Sequence, residues 1–240
     1  MVEEERTGWA RVNLPRQPSS LDHRGYPGWL PLEQLVEDRP EPSGTQQLVS
    51  RATTGVVTSR GRGETLLSLS FATPLYSAQN GACHADGGAA TAAMLTRTGE
   101  RVSASGDALM PAESLRMAGR ALVSTAKRLL GIEYLWGGTS GFGLDCSGLI
   151  WLVLTAHGIE APRDAHDQAL AGARIDREDL MAGDLVFFAN RGEGGRVHHV
   201  GMALNHSCML HAPRPGRCVE LASLDERPYV DELTEGRRLW

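Results

Sequence analysis

The stretch Tyr134-Leu135-Trp136-Gly137-Gly138-Thr139-Ser140-Gly141-Phe142-Gly143-Leu144-Asp145-Cys146-Ser147-Gly148-Leu149 decides how the chain is read. A glycine-rich loop ends at a cysteine, and the apolar run Ile150-Trp151-Leu152-Val153-Leu154 continues from it towards Gly158. This pattern predicts a helix that begins near Cys146, with Gly158 as its C-cap. A cysteine in the first turn of a helix meets free backbone N–H groups and the positive end of the helix dipole, both of which favour thiolate over thiol. The same N–H groups, that of Cys146 included, offer a site for an oxyanion. Small neighbours (Gly143, Ser147, Gly148) leave room for a substrate backbone. A lone cysteine in an apolar helix is more often a small core residue. A catalytic reading therefore needs a partner.

The partner lies downstream, in Val197-His198-His199-Val200-Gly201-Met202-Ala203-Leu204. Period two places His199 on the face of Gly201 and Ala203, opposite Val200 and Met202. The small side chains there leave space for another element, such as the cysteine helix. His198 points the other way. His211 ends the next apolar run, Cys208-Met209-Leu210-His211, where it can hydrogen-bond the second nitrogen of His199 and fix its tautomer.

Further outward, Ala112 to Leu130 carries apolar residues at helical spacing until Gly131. Strand-like runs follow the cysteine helix at Asp184 to Phe188, His198 to Leu204 and Cys208 to His211. Helices before strands make this half α+β. Upstream of about residue 110 the pattern is all-β: short apolar runs (Trp9 to Val12, Gly28 to Leu30, Gly55 to Val57, Leu66 to Leu69) broken by turn residues. Arg39 to Gly44 reads as a linker, Thr73 to Tyr76 and Ala92 to Leu95 as strands, and Asn80 to Thr91 as the loop between them. The expected units are 1–45, incomplete as it stands, then 46–110 and 111–240.

Composition excludes several classes of function. The 240 residues carry a formal charge of −5 with no Lys/Arg-rich block, which argues against a nucleic-acid partner. No apolar run reaches the roughly 18 residues of a membrane span. The start, MVEEERTGWARV, lacks the basic and apolar parts of a secretory signal. The expectation is a cytoplasmic protein or an exported one whose leader has been removed. Four scattered cysteines (Cys83, Cys146, Cys208, Cys218) form neither a disulfide framework nor a metal-ligand pattern. No metal or organic cofactor is expected. Cys208 and Cys218 read as packing residues, Asp184 as a turn holder, and His84, His166, His198 and His206 as surface or strand-edge positions.

The runs Asp145-Cys146-Ser147-Gly148-Leu149, His199-Val200-Gly201-Met202 and His211-Ala212-Pro213-Arg214 together resemble the NlpC family of papain-like bacterial cell-wall peptidases. Tyr134-x-Trp136-Gly137-Gly138, Pro162-Arg163-Asp164 and Gly183 to Phe188 support the likeness, which spans roughly residues 115 to 225. It implies a permuted papain-like domain, a Cys146–His199–His211 triad, and cleavage of γ-D-glutamyl bonds in murein peptides. Trp9 to Pro15 and Asp22 to Pro31 are similar to bacterial SH3-like barrels, in particular those fused to γ-D-glutamyl-L-diamino-acid endopeptidases. That likeness implies that Tyr26 and Asp164 meet the free amine of the peptide, and that Asp145 and Ser147 contact substrate. Ala165 stands where such relatives often carry a hydroxyl residue. Two alternatives remain at this level: a hydrolase of polymeric wall, and a binding module on an inactive peptidase fold.

Overall fold

The structure is a computed structural model, and it describes residues 2–36, 42–60, 63–78, 91–112, 115, 118–190 and 195–240. The Asn80–Thr91 loop with Cys83 and His84, except Thr91, and the 39–41 part of the linker lie outside those residues.

The chain begins with three antiparallel strands, β1 (Val2–Arg6), β2 (Trp9–Leu14) and β3 (Tyr26–Pro31), paired in that order. In β2 the exposed Trp9 and Arg11 alternate with the buried Ala10 and Val12, the period-two signature of a sheet with one covered face. A seven-stranded sheet follows, built from β4 (Gln46–Val49), β5 (Thr53–Arg60), β6 (Gly63–Ser70), β7 (Pro74–Ser77), β8 (Thr91–Leu95), β9 (Arg101–Ser105) and β10 (Leu109–Pro111). Its order is β10-β4-β7-β8-β9-β5-β6, around a core of Val49, Val56, Leu75, Met94, Val102 and Ala104.

The remainder is α+β. Helix α1 (Gly119–Lys127) and a short ribbon, β11 (Thr139–Ser140) with β12 (Gly143–Leu144), precede helix α2 (Cys146–Ala156) and the single turn α3 (Ala165–Gln168). Then come β13 (Ala173–Ile175), β14 (Leu185–Ala189), β15 (Val197–Ala203), β16 (Cys208–His211), β17 (Glu220–Ser223), the turn α4 (Tyr229–Glu232) and β18 (Leu233–Arg238). These strands form one antiparallel sheet of order β13-β18-β14-β15-β16-β17. The all-β units and the papain-like α+β domain are those expected from sequence.

Two sequence expectations change. The helix expected from Ala112 begins only at Gly119, because Ala118 is extended (φ −148°, ψ 136°) and Gly119 is pressed against the Ala182 carbonyl, where a Cβ would stand 1.8 Å away. The second concerns the face of β15. Helix α2 packs on the Val200 and Met202 face, with Leu185, Phe187 and Leu210, and not on the Gly201 face. A helix that is apolar nearly all round needs the bulky side of the sheet, where Leu149, Ile150, Val153 and Leu154 are fully buried, each contributing roughly 2 kcal/mol. The space beside Gly201 belongs to β16 instead: a Cβ there would meet Met209 Sδ at 2.6 Å and His211 Cβ at 3.4 Å.

Candidate active site

Asp145 sets the start of α2. It occupies the N-cap position, and its Oδ1 accepts the Gly148 N–H at 2.7 Å while Oδ2 accepts that of Gly137 at 2.8 Å. Gly148 is required there, because a Cβ would lie 2.0 Å from the Gly138 carbonyl. The loop is thus stitched to the helix so that Cys146 occupies the first helical position. Its own N–H, like the others of the first turn, has no intrahelical acceptor. The N–H groups of Ser147 and Val200 face the sulfur.

The buried Arg163 completes this corner. It forms a bidentate pair with Asp145 (Nη1–Oδ1 3.1 Å, Nη2–Oδ2 2.7 Å) and donates to Ser147 Oγ at 2.8 Å. Ser147 Oγ in turn donates to Asp145 at 3.3 Å. Each Asp145 oxygen therefore holds at least two donors already, and a substrate contact would have to share one of them.

His199 stands across the cleft on β15, opposite Phe188 in the β14 ladder. Its Nε2 lies 2.8 Å from Nδ1 of His211, which is fully buried. That leaves His199 Nδ1 for the cysteine. Burial pushes the Cys146 thiol up to about 11, with the Asp145 charge acting in the same direction and the Val200 and Ser147 N–H groups opposing. Burial likewise pushes His199 down to about 3, helped by His211 and His198. Sequence alone favours a thiolate at the helix start; in the folded site burial outweighs the helix end. Burial thus favours the uncharged form of both groups, and catalysis would require the proton to pass from thiol to imidazole as the sulfur attacks.

A cleft of about 1320 Å³ contains Cys146 and His199. Its lining includes Ser20, Leu21 and Tyr26 from the first β unit. The Tyr26 phenol is electrostatically coupled to Asp164, the N-cap residue of α3, whose carboxylate makes no capping bond. Burial raises the Asp164 carboxyl and Arg163 opposes it; burial and the Asp164 charge also raise the Tyr26 phenol. The loop carrying Tyr26 is docked by three polar contacts: Arg163 N–H to Pro18 O (2.9 Å), Ser20 N–H to Asp167 Oδ2 (2.8 Å) and Trp151 Nε1–H to Arg16 O (3.2 Å).

The structure thus brings Cys146, His199, Asp145, Ser147, Asp164 and Tyr26 to one cleft, with His211 directly behind His199. His198 lies at its rim, 3.5 Å from Glu232, while Asp184 bridges the Met181 N–H and Arg238 inside the fold. Among the described residues no group of three or more His, Cys, Asp or Glu is placed to hold a metal ion, and no helix is long and apolar enough to cross a membrane. Sequence reasoning missed Arg163, Asp167, Tyr229 and Glu220 as parts of the site. Arg163 had a signal, its place beside Asp164 in Pro-Arg-Asp; the other three had none.

Comparison with known proteins was made against this geometry. Residues 131–238 match the model of the NlpC/P60 family. Over 99% of its length the chain is 37% identical to the γ-D-glutamyl-L-lysine dipeptidyl-peptidase of Bacillus subtilis (strain 168), of which it covers 77%. The chain belongs to the NlpC/P60 family. A second NlpC/P60 relative, the protein of the same name from Bacillus cereus (strain ATCC 10987), is 33% identical over 99% of this chain and 71% of its own. The crystal structure of an NlpC/P60 family protein from Bacillus cereus ATCC 10987 superposes with a TM-score of 0.89 at 30% identity, covering all of this chain and 78% of that one. The likeness therefore includes the N-terminal β units as well as the NlpC/P60 domain.

Proposed function

We propose that this protein is a cysteine endopeptidase that hydrolyses the γ-D-glutamyl–L-diamino acid bond of murein peptides bearing a free N-terminal L-alanine. The observation that carries the reading is the Tyr26–Asp164 pair in the lining of the cleft that holds Cys146. Three carboxylates (Asp145, Asp164, Asp167) meet one guanidinium there. Arg163 neutralises Asp145, and Asp167 is held by Ser20, so Asp164 is the spare anion. A cationic amino terminus fits that position, held between carboxylate and phenol oxygen. The first β unit, through Ser20, Leu21 and Tyr26 in the lining, would limit the reach of a longer chain. The names of the two Bacillus relatives support the same bond specificity.

In this reading the Cys146 sulfur attacks the γ-glutamyl carbonyl carbon while its proton passes to His199 Nδ1. N–H groups at the start of α2 hold the oxyanion, and His199 returns the proton to the departing diamino-acid amine. Water, deprotonated by His199, then hydrolyses the thioester. Cys146→Ala is expected to abolish release of the diamino acid from L-Ala-γ-D-Glu-L-diamino acid, read by mass spectrometry, with the folded state intact. Undiminished turnover would sink the mechanism. Activity on free peptides and none on intact sacculi is the expected pattern; the reverse would make the protein a hydrolase of polymeric wall. Cleavage of free peptides fits a cytoplasmic recycling role, which cell fractionation tests.

A further inference from the structure

His199 has two ring nitrogens, and the fold engages one of them. Nε2 faces His211 Nδ1 at 2.8 Å, so Nδ1 is left to take the thiol proton. A neutral imidazole that accepts at Nδ1 carries its hydrogen on Nε2. His199 Nε2–H therefore donates to His211 Nδ1, and the hydrogen of His211 must sit on its own Nε2. That N–H is sealed in the fold, since His211 is 0% exposed. Left without an acceptor it would bear the full desolvation penalty of a buried donor, and the opposite tautomer would become competitive. Two groups face it: Tyr229 Oη at 3.5 Å and Glu220 Oε1 at 3.9 Å.

We propose that Tyr229 and Glu220 are positioning residues that receive the His211 Nε2–H and so lock the tautomers of both histidines, keeping a bare Nδ1 of His199 towards Cys146. The surroundings are built for this. Tyr229 stands edge-on to His211 (5.2 Å between centroids, 89°) and to Phe188 (5.4 Å, 65°), and its ring centre is 6.5 Å from that of His199. Phe188 and Tyr229 thereby wall the histidine pair on the side away from the cysteine helix. Glu220 lies directly across from His211 in the β16–β17 ladder. Its Oε2 is held by Arg217 at 2.6 Å, which leaves Oε1 turned to the imidazole. The charged and titratable groups around the pair are Glu220 and Arg217 beside His211, Arg214 and Glu232 beside Tyr229, and His198 beside His199. When His199 accepts the thiol proton, the Glu220 carboxylate is the negative charge that supports the new imidazolium through His211.

The inference rests on the Cys146–His199 pair of the proposed function, so its test uses one readout that needs no peptide. Full-length Tyr229→Phe and Glu220→Gln are compared with wild type in the rate of Cys146 alkylation by iodoacetamide against pH. The same variants are assayed for kcat and KM on L-Ala-γ-D-Glu-L-Lys. For Tyr229→Phe, alkylation rate and kcat should both fall about ten-fold across the profile while KM stays within about two-fold. Glu220→Gln should show a similar loss and also move the acid limb down by about half a pH unit, because the imidazolium loses its anion while Arg217 remains. Profiles superimposable on wild type in both variants would overturn the proposal. Nitrogen-15 imidazole spectra of the wild type provide a check independent of whether the variants fold. Hydrogen on Nε2 of both His199 and His211 is expected at neutral pH, and a His211 Nδ1–H signal would overturn it. Wild type that alkylates with the expected profile but leaves the peptide intact would refute the substrate assignment alone.

Discussion

The two N-terminal β units dock on the same domain by different physics. The first sheet reaches the cleft: Ser20, Leu21 and Tyr26 line it, and the loop that leads into Tyr26 is held by backbone and side-chain hydrogen bonds with Arg163, Asp167 and Trp151. The seven-stranded sheet contributes no described residue to that lining. It gives Leu48, Phe71 and Met110 to the apolar core shared with α1 and α2, with only a few polar ties, such as Arg128 Nη1–H to Ser50 O at 3.0 Å and Gly141 N–H to Ser70 Oγ at 2.8 Å. Directional contacts fix where atoms sit; apolar contacts fix that surfaces stay together. In the proposed reading the first unit serves specificity, while the second serves stability through the shared core.

The largest effect expected from this difference is on stability. Phe71 is 2% exposed within the shared core, so Phe71→Ala should cost about 3–5 kcal/mol and lower Tm by roughly 10 °C. KM and kcat of the folded variant should be unchanged. A KM that rises with the loss of stability would break the contrast, since the second unit would then shape the cleft as well.

Asp164→Ala should do the reverse. In the proposed reading, removing the spare carboxylate deletes a charge-assisted hydrogen bond to the peptide ammonium, so KM should rise about 10- to 100-fold with Tm little changed. An N-acetylated peptide should be equally poor for wild type and variant. If acetylation leaves wild type unaffected, the amine corner lies elsewhere. Smaller again is Asp167→Ala, whose main effect should be the release of the Ser20 N–H from its 2.8 Å bond. KM should rise about five- to ten-fold as the docked loop loosens, with kcat held. A fall in kcat with KM constant would show that the loop serves the chemistry and not the fit.

Much of this division lies below what sequence can display. The α2 start was legible because cap, glycine loop and apolar run are local, and His199 because strand alternation is local. Asp145 and Arg163, 18 residues apart, meet only after α2 and the turn before α3 are folded. Ser20 and Asp167 are 147 residues apart, and nothing in either neighbourhood specifies the other. The face of β15 was misread for a related reason. Gly201 signals vacant space, but which element fills it depends on how the bulky side chains of β14, β15 and β16 are covered by α2. Tyr229 escaped notice because its value is a stack on Phe188 and His211, made by a single helical turn with no periodicity to read.

Tyr26→Phe gives the finest test of the contrast and the smallest expected effect. The phenol neighbours Asp164 and, in the proposed reading, shares the ammonium with it, so its removal costs one hydrogen bond made by an uncharged group, about 1 kcal/mol, or a roughly five-fold rise in KM. The ring stays in place, so loop docking and Tm should not move. Because both groups act on one cation, their losses should not add. In an Asp164→Ala background the ammonium has already lost its counter-charge, and Tyr26→Phe should then change KM by less than about two-fold. Full additivity in that double-mutant cycle would mean that the phenol does not meet the ammonium. The first β unit would then cover the cleft without reading the chain end, and its polar docking would have to be explained by exclusion of longer substrates alone.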